Sequence, residues 1–186
     1  MKVLKNLSFV LLFTFLISTN VFAQNYTPVD SGSKVHFVIR NFGINTGGGF
    51  HNLKGNIIFL PDNPSGAKFN VTVDASTIDT DNDLRDNSLR SDEYFDAQKF
   101  PDIKIVSTKI EKTNKTADGY YFFTGTLTIK GMTKAVSFPF QAVKTANGFL
   151  FTGNFQIDRT EFGVGEKSMV LGNKVDVSLS VLANKK

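Results

Sequence analysis

The stretch Lys174-Val175-Asp176-Val177-Ser178-Leu179-Ser180-Val181 alternates polar and apolar side chains without a break. An extended backbone sends successive side chains to opposite faces, so the segment reads as a strand with one face in a core and the other in water. The same period of two recurs upstream. Val35, Phe37 and Ile39 alternate with Lys34, His36 and Arg40, and Phe69, Val71 and Val73 alternate with Asn70, Thr72 and Asp74. Ile57 and Phe59 follow a glycine-rich approach, and Ile103 and Ile105 share one face. Phe123, Leu127 and Ile129 alternate with Thr124, Thr126, Thr128 and Lys130; Val136, Phe138 and Phe140 come next. Phe149, Phe151, Phe155 and Ile157 then stand against Thr152, Asn154, Gln156 and Asp158. Between the runs, Pro61 to Gly66, Asp118-Gly119, Lys130-Gly131-Met132 and Asn147-Gly148 supply the dihedrals of chain reversals.

Short connections make neighbouring strands antiparallel, and about eight strands with one apolar face each predict an all-β barrel or sandwich. Closure into a barrel removes the exposed edges of so extensive a sheet. One segment breaks the pattern. Between Asp79 and Phe100 the spacing predicts a short helix, with Asp81 as its cap; Leu84, Ser88 and Leu89 fall on one side, and Arg85, Asp86 and Arg90 are turned elsewhere. Tyr94 and Phe95 follow in a second turn, and Pro101 stops it. This insertion is expected to lie across the flank or mouth of the barrel.

With 186 residues the chain has room for one ordinary domain, and residues 1–23 are not part of it. Lys2 and Lys5 precede a run, Leu7 to Ile17, that is apolar apart from Ser8 and Thr14, and Val21-Phe22-Ala23 puts small residues where a signal peptidase reads. Cleavage is expected between Ala23 and Gln24, leaving residues 24–186 as the folded domain. A retained anchor is disfavoured because the apolar run falls short of the roughly 20 residues that cross a bilayer. There is no cysteine, which removes disulfides, a lipoprotein attachment site, thiolate nucleophiles and Cys-based zinc sites together. The expectation is a soluble periplasmic or secreted protein. Without Lys2 and Lys5 the 21 basic residues become 19 against 17 acids, a formal charge of +2 in place of +4. Bases and acids are interspersed, which argues against a nucleic-acid partner.

Candidate chemical motifs fail on their details. Gly163-Val164-Gly165-Glu166-Lys167-Ser168 resembles a phosphate loop, but Glu166 stands where glycine must precede Lys-Ser. Asp79, Asp81 and Asp83 open like a calcium loop, yet Leu84 replaces the turn glycine and Arg90 the terminal glutamate. Gly47-Gly48-Gly49 reads as a flexible turn or bulge. His36 and His51 lack partners at converging spacings, so a surface or packing role is expected and no metal site. No Gly-x-Ser-x-Gly elbow and no separated acid and base pair occur, so the protein is expected not to be an enzyme.

What remains is phenylalanine. The chain has 19, of which Phe9, Phe13, Phe15 and Phe22 lie in the leader, and it has no tryptophan. An eight-stranded barrel either fills its lumen with such rings or leaves room for one small ligand. Periodicity does not choose between the two.

The ordered landmarks of the chain resemble the YceI-like periplasmic proteins over about Tyr26 to Ala183. They are Ser33-Lys34-Val35-His36-Phe37; Thr80 with Leu84-Arg85-Asp86 and Leu89-Arg90-Ser91; Glu93-Tyr94-Phe95-Asp96; Phe100-Pro101; Gly125 to Gly131; Ile157 to Gly163; and Val175-Asp176-Val177. The resemblance implies an extended lipocalin-like barrel and a polyisoprenoid or quinone-like lipid in its lumen, with no other cofactor. On that reading the wall is Phe37, Ile39, Ile57, Phe59, Ile103, Ile105, Phe123, Leu127, Phe138, Phe140, Phe151 and Phe155. Leu84, Leu89, Phe95 and Phe162 stand at the ends. Arg85, Asp86, Asp158 and Arg159 match motif positions. They are expected to fasten the helix and the late turn by ion pairs and hydrogen bonds; the alternative is a head-group role for Arg85 or Arg159, since guanidinium suits phosphate.

Three functions follow as alternatives. The favoured one is a carrier or buffer for a long-chain isoprenoid or other apolar lipid. The second is a packed barrel that docks a membrane redox partner, and the third is an enzyme acting on a lipid. The oligomeric state is left open, a homodimer being one alternative.

Overall fold

The structure is a computed structural model that describes residues 24–113 and 119–186. The leader expected over residues 1–23, and Asp118 of the Asp118-Gly119 turn, lie outside the described residues. Nine strands are formed: β1 (Asn25–Pro28), β2 (Lys34–Asn41), β3 (Ile44–Ile58), β4 (Lys68–Asp79), β5 (Asp102–Lys112), β6 (Tyr120–Ile129), β7 (Met132–Lys144), β8 (Gly148–Asp158) and β9 (Leu171–Lys185). Helix α1 (Asp83–Arg90) follows β4, and single 3-10 turns occupy Pro64–Gly66 and Arg159–Phe162.

Antiparallel pairing runs β3-β2-β9-β8-β7-β6-β5-β4, and β4 pairs back with β3, so eight staves close into a barrel. β1 and β2 share one stave: both lie between β3 and β9, β1 beside Ile57 and Lys185, β2 beside Phe50 and Leu179. The break between them is stitched by Val29 N–H to the Leu182 carbonyl at 2.8 Å and by Leu182 N–H to the Ser33 hydroxyl at 2.9 Å. Closure pairs the strand edges around the ring, except between β7 and β8, whose ladder runs only from Phe140 opposite Gly153 to Lys144 opposite Phe149 and leaves residues 132–139 and 154–158 apart, with a pocket between them.

Gly47-Gly48-Gly49 is not a turn: it is the middle of β3, opposite Val38, Phe37 and His36. The bulge lies just beyond, where the β3–β4 register shifts between Gly49 and His51 and again before Lys54. The reversal into β3 is instead made by Phe42-Gly43, both at positive φ, between the paired Asn41 and Ile44. Lys130-Gly131 makes the β6–β7 reversal the same way.

The helix corrects two expectations. Its cap is Asn82, whose side chain accepts from Arg85 N–H at 2.9 Å, and not Asp81. Its inward face is only partly the expected one: Leu89 is half-buried and reaches the barrel interior, but Asp86 is buried and Arg85 and Arg90 half-buried, while Leu84 is 82 % exposed. Leu84 and Leu89 are five residues apart, about 140° around a helix of 3.6 residues per turn, so they cannot share a face. The polar residues turn inward because β4 ends beside the helix with carbonyls to satisfy. Arg90 donates to the Ser76 and Ile78 carbonyls at 2.7 and 2.8 Å, and Arg85 to the Thr80 carbonyl and hydroxyl.

All loops at one end, namely the Phe42-Gly43 turn, the segment 80–101 with α1, the Lys130-Gly131 turn and the segment 159–170, surround what we call the mouth. The other end is the floor.

Candidate functional site

The strand register stacks inward side chains in tiers. Nearest the mouth, Ile157, Val175, Ile39 and Thr46 are cross-strand neighbours. In the next tier Phe123 faces Phe138, Phe155 faces Val177, and Val177 also faces Phe37, which in turn faces Gly48. The rings of Phe123, Phe138 and Phe155 stack in a row at centroid separations of 4.9 and 4.5 Å. Below them come Tyr121, Phe140, Gly153, Leu179, Val35 and Phe50. Phe151 and Val181 follow. On the far side Val71 and Val73 of β4 face Ile105 and Ile103 of β5, and Ile105 faces Leu127.

The floor is shut by an aromatic plug. Phe59, fully buried, makes edge-on contacts with Phe69, Tyr121, Phe149 and Phe151 at 5.1 to 6.1 Å, and Tyr26 closes on Phe149 at 5.4 Å. Above the plug the barrel is not packed solid. A cavity of about 230 Å³ runs up through the tiers to Leu89, Tyr94, Phe95, Arg85 and Leu171 at the mouth. Its volume lies just under the roughly 300–1,000 Å³ typical of small-molecule sites. Several wall residues, Phe37, Ile39, Ile103, Ile105, Phe155 and Leu179 among them, are only half-buried although their strands point them inward. Apolar side chains facing an opening and not each other is the physical signature of a lumen.

Of the residues expected to bind, Phe37, Ile39, Ile57, Leu89, Phe95, Ile103, Ile105, Phe123, Leu127, Phe138, Phe140, Phe151 and Phe155 line this cavity. Three do not. Phe59 belongs to the plug, Leu84 points into solvent, and Phe162 is buried with Leu127, Ile129 and Val164 in a separate cluster at the mouth end.

The polar residues at the mouth hold the framework by hydrogen bonds to backbone, with no ion pair among them. The buried Asp86 carboxylate accepts from Thr80 N–H at 3.0 Å and from its hydroxyl. Arg159, also buried, donates to the carbonyls of Gly172, Val164 and Glu166 at 2.9, 2.7 and 2.8 Å, and more weakly to Leu171 O and Asn173 Oδ1. One side chain thereby gathers the whole 164–173 loop, and its donors are spent on it. Asp158 accepts from the Thr160 hydroxyl and N–H at 2.6 and 2.9 Å; the hydroxyl bond chiefly holds its carboxyl below the usual range, against partial burial, with the Thr160 amide, Arg159 and Lys167 assisting. No Asp or Glu lines the cavity among the described residues. Nor do three or more His, Asp or Glu residues converge on a metal-ligating arrangement among them.

With this geometry in hand, the comparison with known proteins is direct. Residues 26–183 match the YceI-like domain. The chain belongs to the YceI-like family. Among its relatives, a UPF0312 protein of Pseudomonas fluorescens is 34 % identical over 179 residues, 89 % of each chain. A UPF0312 protein of Photorhabdus laumondii is 38 % identical over 89 residues, 48 % of this chain and 44 % of that relative, so this second match spans under half the relative's length. Two solved structures share the fold. Burkholderia cenocepacia BcnA superposes with a TM-score of 0.77 at 23 % identity, covering 83 % of this chain and 98 % of that one. A polyisoprenoid binding domain from Saccharophagus degradans superposes with a TM-score of 0.68 at 13 % identity, covering 87 % and 98 %.

The YceI-like barrel also has wall residues that the sequence reading passed over. Val35, Val71, Val73, Ile129, Val175, Val177, Leu179 and Val181 line the cavity, and each was visible as the apolar half of an alternating run. Phe50 and Leu53 were not, because the glycines before them and the bulges around them interrupt the period.

Proposed function

We propose that this YceI-like protein is a non-catalytic binding protein that holds a long-chain isoprenoid, quinone-like or related apolar lipid in its lumen, after export from the cytoplasm. The single observation that carries the reading is the apolar cavity above the Phe59 plug, open toward α1. The likeness to a polyisoprenoid binding domain supports the class of guest. The tail lies along the stacked rings of Phe123, Phe138 and Phe155 and stops at the plug. At about 0.8 kcal/mol per buried CH₂, a few isoprene units outweigh the cost of ordering them, so no polar anchor is required. A long tail exceeds the present volume, and the wall rings turn aside by rotamer changes to admit it. Arg85, half-buried at the mouth, directs Nε and Nη2 at Thr80 and offers Nη1 to an oxygen-bearing head, whereas all three nitrogens of Arg159 bond the 164–173 loop.

Native mass spectrometry of gently purified protein, with lipid extraction and identification, tests the proposal. A stoichiometric long-chain apolar molecule is the expected result. Protein that emerges empty from repeated preparations, and takes up no isoprenoid when offered it, would overturn the reading.

A further inference from the structure

The large apolar side chains exposed among the described residues are Phe42, Ile44, Leu84, Met132, Val143, Met169 and Val170. All except Val143 lie at the mouth end, on the hairpin turn, on α1, at the start of β7 and on the 159–170 segment. Such side chains are unremarkable when scattered singly, but gathered around one opening they mark an interaction surface. On the hairpin turn Phe42 is 72 % exposed, and on the 159–170 segment Met169 is fully exposed at 105 %. The two loops that carry four of them are joined by a hydrogen bond from Phe42 N–H to the Val170 carbonyl at 2.8 Å.

Phe42 adds an independent observation. It occupies the first central position of a two-residue turn at φ 51, followed by Gly43 at φ 77. Asn, Asp or Gly belongs there, since a bulky side chain at positive φ is strained. The ring repays nothing to the fold, being mostly in solvent. A strained residue whose side chain stands mostly in solvent points to a role outside the molecule.

We propose that the mouth end docks on a lipid bilayer, with Phe42, Ile44, Met169 and Val170 entering its interfacial layer. The occupant is a bilayer and not a second copy. A stable protein interface needs about 20–30 residues a side, far more than this ledge offers, whereas a bilayer rewards each inserted side chain separately. Continuity with the cavity supports the same choice: a guest passing between bilayer and lumen at this end does not cross water, a step that rests on the lipid-holding reading above. Charges on the two joined loops nearly cancel, Arg40, Arg159 and Lys167 against Glu161 and Glu166. The attraction is therefore apolar and does not require anionic lipid.

The test compares wild type with the double variant Phe42→Asn, Met169→Gln in flotation with phosphatidylcholine vesicles, at low and high salt. Asn suits the turn better than Phe, so the variant keeps the fold. Partition of the variant is expected to fall about tenfold or more, that of wild type to be insensitive to salt, and uptake of a fluorescent fatty acid added in solution to be equal for both. Equal partition of the two proteins overturns the proposal. So does a dimer, seen by sedimentation without vesicles, that the same substitutions dissolve, since the surface then belongs to a second copy. Rim-dependent vesicle binding by a protein that takes up no fatty acid supports docking while counting against the lumen reading.

Discussion

The ring of Phe37 lies across Gly48, its Cζ 2.7 Å from where a β-carbon on Gly48 would stand. That same β-carbon would meet Thr80 Cγ2 at 2.6 Å and the Asp79 carbonyl at 2.8 Å, so the backbone of β4 and the wall ring crowd it together. Gly48→Ala is therefore expected to destabilise the barrel by about 1–3 kcal/mol through overpacking, read as a lower urea midpoint at unchanged slope. Phe37 is displaced into the lumen, so ligand uptake falls with it.

Phe59→Ala removes the centre of the floor plug. The loss should reach about 3–5 kcal/mol, because four aromatic neighbours lose a shared partner and cannot all collapse inward. Phe59→Leu, which keeps most of the volume, should cost much less. Denaturant unfolding of both variants checks the order.

Arg159→Lys keeps the charge but loses the fork that reaches three carbonyls at once. Hydrogen bonds from a charged donor contribute about 1.5–3 kcal/mol each, and an ammonium cannot replace them all, so a loss of at least about 2 kcal/mol is expected in thermal or denaturant unfolding. Proteolysis within the 164–173 loop should quicken in the variant before global unfolding does.

Asp158 and Asp74 both have carboxyls held below the usual range, chiefly by the side-chain hydroxyls of Thr160 and Ser76 respectively. A depressed folded-state pKa means stability that is present above the unfolded value of about 3.9 and lost as pH falls through the folded one. Thr160→Val should raise the Asp158 pKa in an NMR titration and flatten the decline of stability below about pH 4. Stability above about pH 5 should change little with pH in either protein through this group.

How far the sequence could be read depended on whether an element obeyed a simple period. In β9 the inward positions Val175, Val177, Leu179 and Val181 could be picked out by counting in twos, and register then carried Phe155 and Phe37 to the same tier. Phe59 keeps the inward phase of Ile57 but lies one residue past the end of β3, where it plugs the floor in place of lining the wall. The count failed where the backbone stepped out of phase. Phe50 sits among glycines and bulges that erase the pattern. On α1 the error was one of principle: Leu84 was assumed to face inward with Leu89, but an eight-residue helix laid over the end of a strand meets its bare backbone groups first, and Arg85 and Arg90 donate to the carbonyls while Asp86 accepts from Thr80. Which phenylalanines line an opening and which stop it is a matter of depth along the barrel axis, and no local pattern records depth.

The shut floor around Phe59 makes the barrel a gauge. Any guest is measured from its buried tip, since chains of different length come to rest against the same ring. If the lumen holds a lipid as proposed, the surplus of a longer chain stands outside, so that a difference of a few carbons is registered at the rim.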